Sequence, residues 1–394
     1  MKVDAIDLFY LRVPDFYPAR DPVKDLLLVR VQAGAYEGWG ECEAAPLASL
    51  AAFVMPESHA TCRSIIDAVR GHRLDKPADI QRIARLVDHD CSNLLQSPHA
   101  FSGLEMALWD VLGKRYEEPV YRLLGDRIAY GKQPYAVVPF GATPEQTFLD
   151  VQKTCGRGIR AIKVGWAGFG AGQMAADRAQ LEAARRALGR EGRLFLDAAR
   201  IWGRDVTAAH AYCALLHEFD IEWLEEPFGP DATDAYMALS GTCGSMKLAA
   251  GEHLHSRAGA QRFLQDTGIG VLQFDAGRGG GISAARSMAE HAAACGVSYI
   301  NHTYTSHLAL AASLQACAGL PRHDLCEYPC DEMSLGWQIC RDHLHIQDDG
   351  RVYLSDRPGI GVELNPAIIS TYLTEVEFWV GGEKLHATPA VSTI

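Results

Sequence analysis

Nowhere in this chain of 394 residues does an apolar run approach the twenty or so residues that a membrane-spanning helix needs. A basic excess is missing too: 37 Lys and Arg face 49 Asp and Glu, a formal net charge of −12. That balance argues against nucleic acid or an anionic membrane as partner, so an anionic substrate must be drawn by local charge. The eleven cysteines are scattered and form no CxxC pair, and MKVDAIDLFYLRV lacks a secretory pattern. Reduced thiols in a cytoplasmic protein are therefore expected. Cys326 and Cys330 alone offer only two soft-metal ligands, with no matching partners. The glycine cluster GWAGFGAG (165 to 172) does not have the GxGxxG spacing of a dinucleotide-binding turn. There is no low-complexity tract.

What the chain does have is a rhythm of polar residues at the ends of short apolar runs. Asp197 closes RLFLD, Glu225 closes IEWLE and Glu252 follows KLAAG, at intervals of 28 and 27 residues. In a (β/α)8 barrel one strand, one helix and two loops use roughly 30 residues, and all strand ends meet on one face. Three carboxylates brought together cannot cheaply stay ionised, and a hard divalent cation with oxygen ligands is the usual solution. Mg2+ is the expected ion. The series continues with Asp275 (GVLQFD), His302 (VSYINH) and Glu327 (HDLCE), and extends backwards to Lys163 (IRAIK) and PYAVVPFG at 134 to 141. Eight strands can be counted. Between them lie segments with apolar residues at three- and four-residue spacing, such as AADRAQLEAARRAL (175 to 188) and VTAAHAYCALLHEF (206 to 219). The expected fold class is α/β, a (β/α)8 barrel.

The length exceeds one barrel of about 250 residues, so a second domain is expected. Residues 1–130 read as an α+β capping domain: KVDAIDLFYLRV, DLLLVRVQA and YEGWGECE as an antiparallel meander, then SIIDAVRGH and HAFSGLEMALWDVLGKRY as helices. The barrel is placed at 131–355. Residues 356–394, with PGIGVELNP and EVEFWVGGEK, are expected to return to the capping domain in extended form, with disorder beyond Leu385.

Several ordered motifs together resemble the mandelate racemase subgroup of the enolase superfamily over essentially the whole chain: GWGEC (38 to 42), SGLEMALWDVLGK (102 to 114), YRLLGDR, WLEEPF, AAGEH, LQFDAGRGGGIS and INHTYTSHLALAASLQ. The resemblance implies Mg2+-assisted removal of a proton alpha to a carboxylate, with Asp197, Glu225 and Glu252 as metal ligands. The ligand in WLEEPF is then Glu225, and strand alternation would turn Glu226 away from the barrel axis. His302 is implied as general base and Asp275 as the group that orients its imidazole. Glu327 sits where the family places an acid that hydrogen-bonds or protonates the enediolate. It also implies a homo-oligomer whose cap loops are completed by a neighbour.

Two positions depart from the pattern. The subgroup often carries Lys-x-Lys where this chain has Lys163-Val164-Gly165, so the second lysine is absent and Lys163 is expected to neutralise substrate charge. Ala199 stands where asparagine is common, with Arg200 as a replacement contact, while Trp202 matches. A single base on one face suits dehydration of an acid sugar to a 2-keto-3-deoxy acid. The substrate is thus expected to be a small carboxylate, read by cap-loop residues such as Tyr17, Arg20 and the stretch Glu43 to Phe53. A racemase, epimerase or cycloisomerase using Lys163 with His302 is the alternative. A non-catalytic metal-binding scaffold would have lost a ligand or base, and none is lost. His253 and His255, just past Glu252, are further candidates for the site.

Overall fold

The computed structural model describes residues 1–14, 24–166, 168–170 and 173–390; Tyr17 and Arg20 lie outside them. Three antiparallel strands open the chain, β1 (Ala5–Arg12), β2 (Asp25–Ala33) and β3 (Tyr36–Cys42), in the order β1-β2-β3. The long helix Ser97–Tyr116 packs on them. The glycines of GWGEC make that contact close: a Cβ on Gly40 would lie 2.0 Å from the carbonyl oxygen of Gly103. This approach carries the end of β3, with Glu41 and Glu43, onto the barrel.

Eight parallel strands form one curled sheet: β4 (Gln133–Pro139), β5 (Ala161–Gly165), β6 (Arg193–Asp197), β7 (Ile221–Glu225), β8 (Lys247–Ala250), β9 (Val271–Leu272), β10 (Ser298–Tyr299) and β11 (Leu325–Glu327). Their order is β10-β9-β8-β7-β6-β5-β4-β11, each strand beside its neighbour in sequence except where β11 returns to β4. The fold is the capped α/β barrel read from the strand rhythm. Its interior takes one apolar residue from each unit, Tyr135, Ala161, Phe195, Trp223, Ala249, Val271, Ile300 and Leu325, with Phe195 and Trp223 stacked at 3.5 Å. Layered filling of this kind makes the barrel a packed core and not a pore.

No ladder pair joins β10 to β11 among the described residues. Side chains stitch that seam instead. The Tyr299 N–H donates to His323 Nδ1 at 2.9 Å, Asn301 Nδ2 donates to the Glu327 carbonyl at 3.0 Å, and the Thr303 N–H donates to Glu327 Oε2 at 2.6 Å.

Cap and barrel share buried polar ties. Glu105, in the long cap helix, accepts the Ile282 and Ser283 N–H groups at 2.6 and 3.0 Å, closing the first turn of the barrel helix Gly281–Ala294. Ser306 caps the helix His307–Cys317 and also donates to Glu41. Asp110 accepts both the Trp39 and Ile360 N–H groups, joining β3 to the returning tail.

The tail differs from its sequence reading in two respects. A helix, Pro366–Tyr372, interrupts the extended stretch; Pro at a first helical position after Asn365 is a start signal that the extended reading passed over. Beyond it, β12 (Glu377–Val380) and β13 (Glu383–Ala387) pair antiparallel, so His386 and Ala387, the first residues of the stretch expected to be disordered, lie in a strand. The Gly381-Gly382 turn, with both φ positive, allows the hairpin to close. Among the described residues no helix is long and apolar enough to cross a membrane.

Candidate active site

Side chains two residues apart on a strand share a face. Moving two residues on from the interior layer therefore reaches Lys163, Asp197, Glu225, Gln273, His302 and Glu327, which line the C-terminal mouth of the barrel. Asp275 lies two further from Gln273, and Glu252 follows Gly251, whose φ of 145° turns the chain off the strand.

The ring divides into two groups. In the first, Lys163 Nζ lies 2.6 Å from Glu225 Oε1, 2.9 Å from Glu327 Oε1 and 3.9 Å from Asp197 Oδ2. Gln273 Nε2 donates to Glu225 Oε2 at 2.7 Å, and the Ala199 N–H donates to Asp197 Oδ1 at 2.8 Å. Burial pushes the Glu225 carboxyl up to about 8 and that of Asp197 to about 6, against the pull of Lys163. For Lys163 burial works against the charge, but Glu225 and Glu327 outweigh it and hold the ammonium well above its ordinary pKa.

In the second group, His302 Nδ1 is 2.6 Å from Asp275 Oδ2 and its Nε2 is 3.0 Å from Glu252 Oε2. Burial disfavours the imidazolium; Glu252, Glu327 and the hydrogen bond to Asp275 overcome it and raise His302 well above 6.5. Burial likewise opposes the Glu252 carboxylate, but His302 and Arg278 hold it well below its usual range. Glu327, set between Lys163 and the Thr303 N–H, is an acceptor in this arrangement.

The three sequence-read ligands Asp197, Glu225 and Glu252 stand on the same mouth but do not close into one tight cluster. Among the described residues, the sets whose ligand atoms lie within 4.8 Å of one another are Glu43 with Asp275 and His302, and Glu226 with Glu252 and His253. Glu226, at φ 39°, takes His253 Nδ1 at 2.9 Å, and His253 Nε2 accepts from Arg200 Nη1 at 3.1 Å. His255 pairs across the cap boundary with His99 at 2.9 Å.

At position 165, where a second lysine was sought, the backbone is shaped for glycine. Gly165 has φ 101°, and a Cβ there would lie 2.3 Å from the Asp197 carbonyl oxygen, so position 165 has no room for a side chain. Among residues that sequence reasoning passed over, Gln273 carries the inward parity of its neighbours and was legible. Arg278 was not, because it sits on an irregular loop. It binds Glu43 through two bonds, Nη2 to Oε1 at 2.7 Å and Nε to Oε2 at 2.9 Å, and reaches Glu252 Oε1 at 3.2 Å.

Two family models match the chain: "Enolase C-terminal domain-like" over residues 150–368 and "Mandelate racemase / muconate lactonizing enzyme, N-terminal domain" over residues 22–125. A solved structure of a predicted mandelate racemase from Rhodobacter sphaeroides is similar at 46% identity and a TM-score of 0.94, covering 99% of this chain and 100% of that one. The D-galactonate dehydratase of Variovorax paradoxus is 31% identical, with 68% of this chain and 71% of that protein covered. The D-galactarolactone cycloisomerase of Agrobacterium fabrum is 30% identical, with the same coverage.

Proposed function

Since the chain belongs to the mandelate racemase subgroup of the enolase superfamily and is an enzyme of that class, we propose that it dehydrates an acid sugar to a 2-keto-3-deoxy acid by removing the proton alpha to the carboxylate. The observation that carries this reading is one histidine–carboxylate dyad, His302 with Asp275, facing a mouth in which position 165 offers no opposing base. In its neutral form His302 takes the alpha proton at Nε2 while Asp275 holds Nδ1 and stabilises the imidazolium. The C–H electrons form the new C=C bond, the bond to the beta hydroxyl breaks, and the imidazolium proton leaves with that hydroxyl as water. The enol then becomes the keto acid. Lys163 and Glu327 hold the charge balance at the carboxylate end.

The donor set fits a hard divalent cation. Asp197, Glu225 and Glu252 are oxygen ligands, and burial raises the first two while their mutual repulsion adds to it, which is the condition a cation relieves. When bound there, Mg2+ supplies positive charge against the negative charge that develops on the substrate carboxylate. In this reading residues 131–355 carry the chemistry, and 1–130 with the tail 356–394 enclose the substrate.

Kinship to a lactone cycloisomerase supports a second outcome from the same proton abstraction, addition or loss at an internal oxygen without release of water. Proton NMR in D2O with Mg2+ across aldonic, aldaric and uronic acids separates the two. New 3-deoxy methylene signals support dehydration, while alpha-proton exchange without water loss supports the isomerase reading. A His302→Asn variant turning over at the wild-type rate would sink both.

A further inference from the structure

Glu43 comes from the cap, yet it is buried with the dyad: its carboxylate, one of Asp275 and a nitrogen of His302 lie within 4.8 Å of one another. Both oxygens of Glu43 are engaged by Arg278. The same guanidinium reaches Glu252 Oε1 at 3.2 Å and lies 3.6 Å from Asp275 Oδ2. One arginine thus touches the partner of the base, a carboxylate of the proposed metal ring and the cap. The approach is tight: a Cβ on Gly277 would fall 2.9 Å from Glu43 Cβ.

The fork of Arg278 takes one site on each Glu43 oxygen, and hydrogen bonds with Tyr304 and Asp275 occupy the carboxyl further, so it has little left to offer a substrate hydroxyl. We propose that Glu43 and Arg278 form a positioning pair. Docking of the cap sets the guanidinium, which in turn fixes the carboxylates of Asp275 and Glu252 on either side of His302. This assigns Glu43 to assembly of the base and the metal ring, and not to reading the sugar. It rests on the reaction reading given above.

The test uses the full-length protein with Mg2+ and the variants Glu43→Gln, Arg278→Lys and the double substitution. Arg278→Lys keeps the charge and loses the fork. Expected for each single variant is a fall in kcat of about 10- to 100-fold with KM within about threefold, the range for groups that orient a site from behind. Mg2+ affinity by calorimetry should fall about tenfold. The double variant should fall well short of the product of the two single losses, because Glu43 and Arg278 hold the same carboxylate of Asp275, the one directly and the other through its guanidinium. A rise in KM with kcat retained would make Glu43 a substrate reader and overturn the proposal. So would a lowered melting temperature with kcat, KM and Mg2+ affinity all unchanged, which is what a plain cap–barrel bolt predicts. If no acid sugar turns over with wild type, the reaction reading fails; the Mg2+ titration still decides this one.

Discussion

The Lys163 ammonium and the Glu225 carboxylate lie 2.6 Å apart with both side chains almost wholly buried. Removing the ammonium leaves Glu225, Glu327 and Asp197 buried together without their cation, so each must stay charged and unpaired or take up a proton. Lys163→Met should therefore lose about 3–5 kcal/mol in urea unfolding without added metal. A loss near that of an exposed lysine would show that the pair is not formed.

Divalent metal should stabilise the fold. A ligand at one hundred times its dissociation constant adds about 2.7 kcal/mol, so millimolar Mg2+ should raise the thermal midpoint and EDTA should reverse the rise. Asp197→Asn and Glu225→Gln should each abolish most of the increment. An undiminished response in both variants would move the metal elsewhere, with Glu226, Glu252 and His253 the next set to test.

Placing a lysine at position 165 should not create a second base. At Gly165 the backbone is left-handed and the Cβ would strike the Asp197 carbonyl, so Gly165→Lys should cost about 3 kcal/mol or more and displace Asp197. Circular dichroism melts and racemisation assays read this out. A stable, newly racemising variant would contradict the assignment.

Acid should weaken the fold through His307. Its Nδ1 accepts the Leu344 N–H at 3.0 Å and its Nε2 donates to the Pro329 carbonyl at 3.2 Å, an arrangement only the neutral ring can make. Burial lowers its pKa to about 3, with His343 adding to the effect. A group depressed below its unfolded value of about 6.5 contributes fully above that pH and loses its contribution as pH falls toward 3. The stability difference between wild type and His307→Gln should thus shift against wild type by about 1.4 kcal/mol per pH unit through that window. A difference that is flat with pH would mean the ring is already charged.

Much of the site was legible because it obeys parity. Lys163, Asp197, Glu225, His302 and Glu327 each follow an interior apolar residue by two, and the strands recur at barrel spacing. What stayed hidden depends on loop backbone. Ala199, Arg200 and Glu226 all have positive φ, at 46°, 62° and 39°, and nothing in hydrophobic periodicity encodes such values. The link from Glu43 to Arg278 spans 235 residues, so no local pattern in the chain could announce it. The absent lysine was visible as a departure, but the carbonyl on the next strand that leaves position 165 no room is purely spatial.

The seam between β10 and β11 makes the barrel a hoop with a clasp. A continuous ladder shares load across many amides, whereas this closure is borne by a few side chains, one of them an imidazole that must keep its lone pair to receive the Tyr299 N–H. Burial holds His323 down, at about 4, which keeps the clasp fastened at neutral pH. When the hoop breathes, it should part there first. His302 and Glu327 sit on the two lips of that opening, so the mouth that holds them would come apart before the rest of the barrel does.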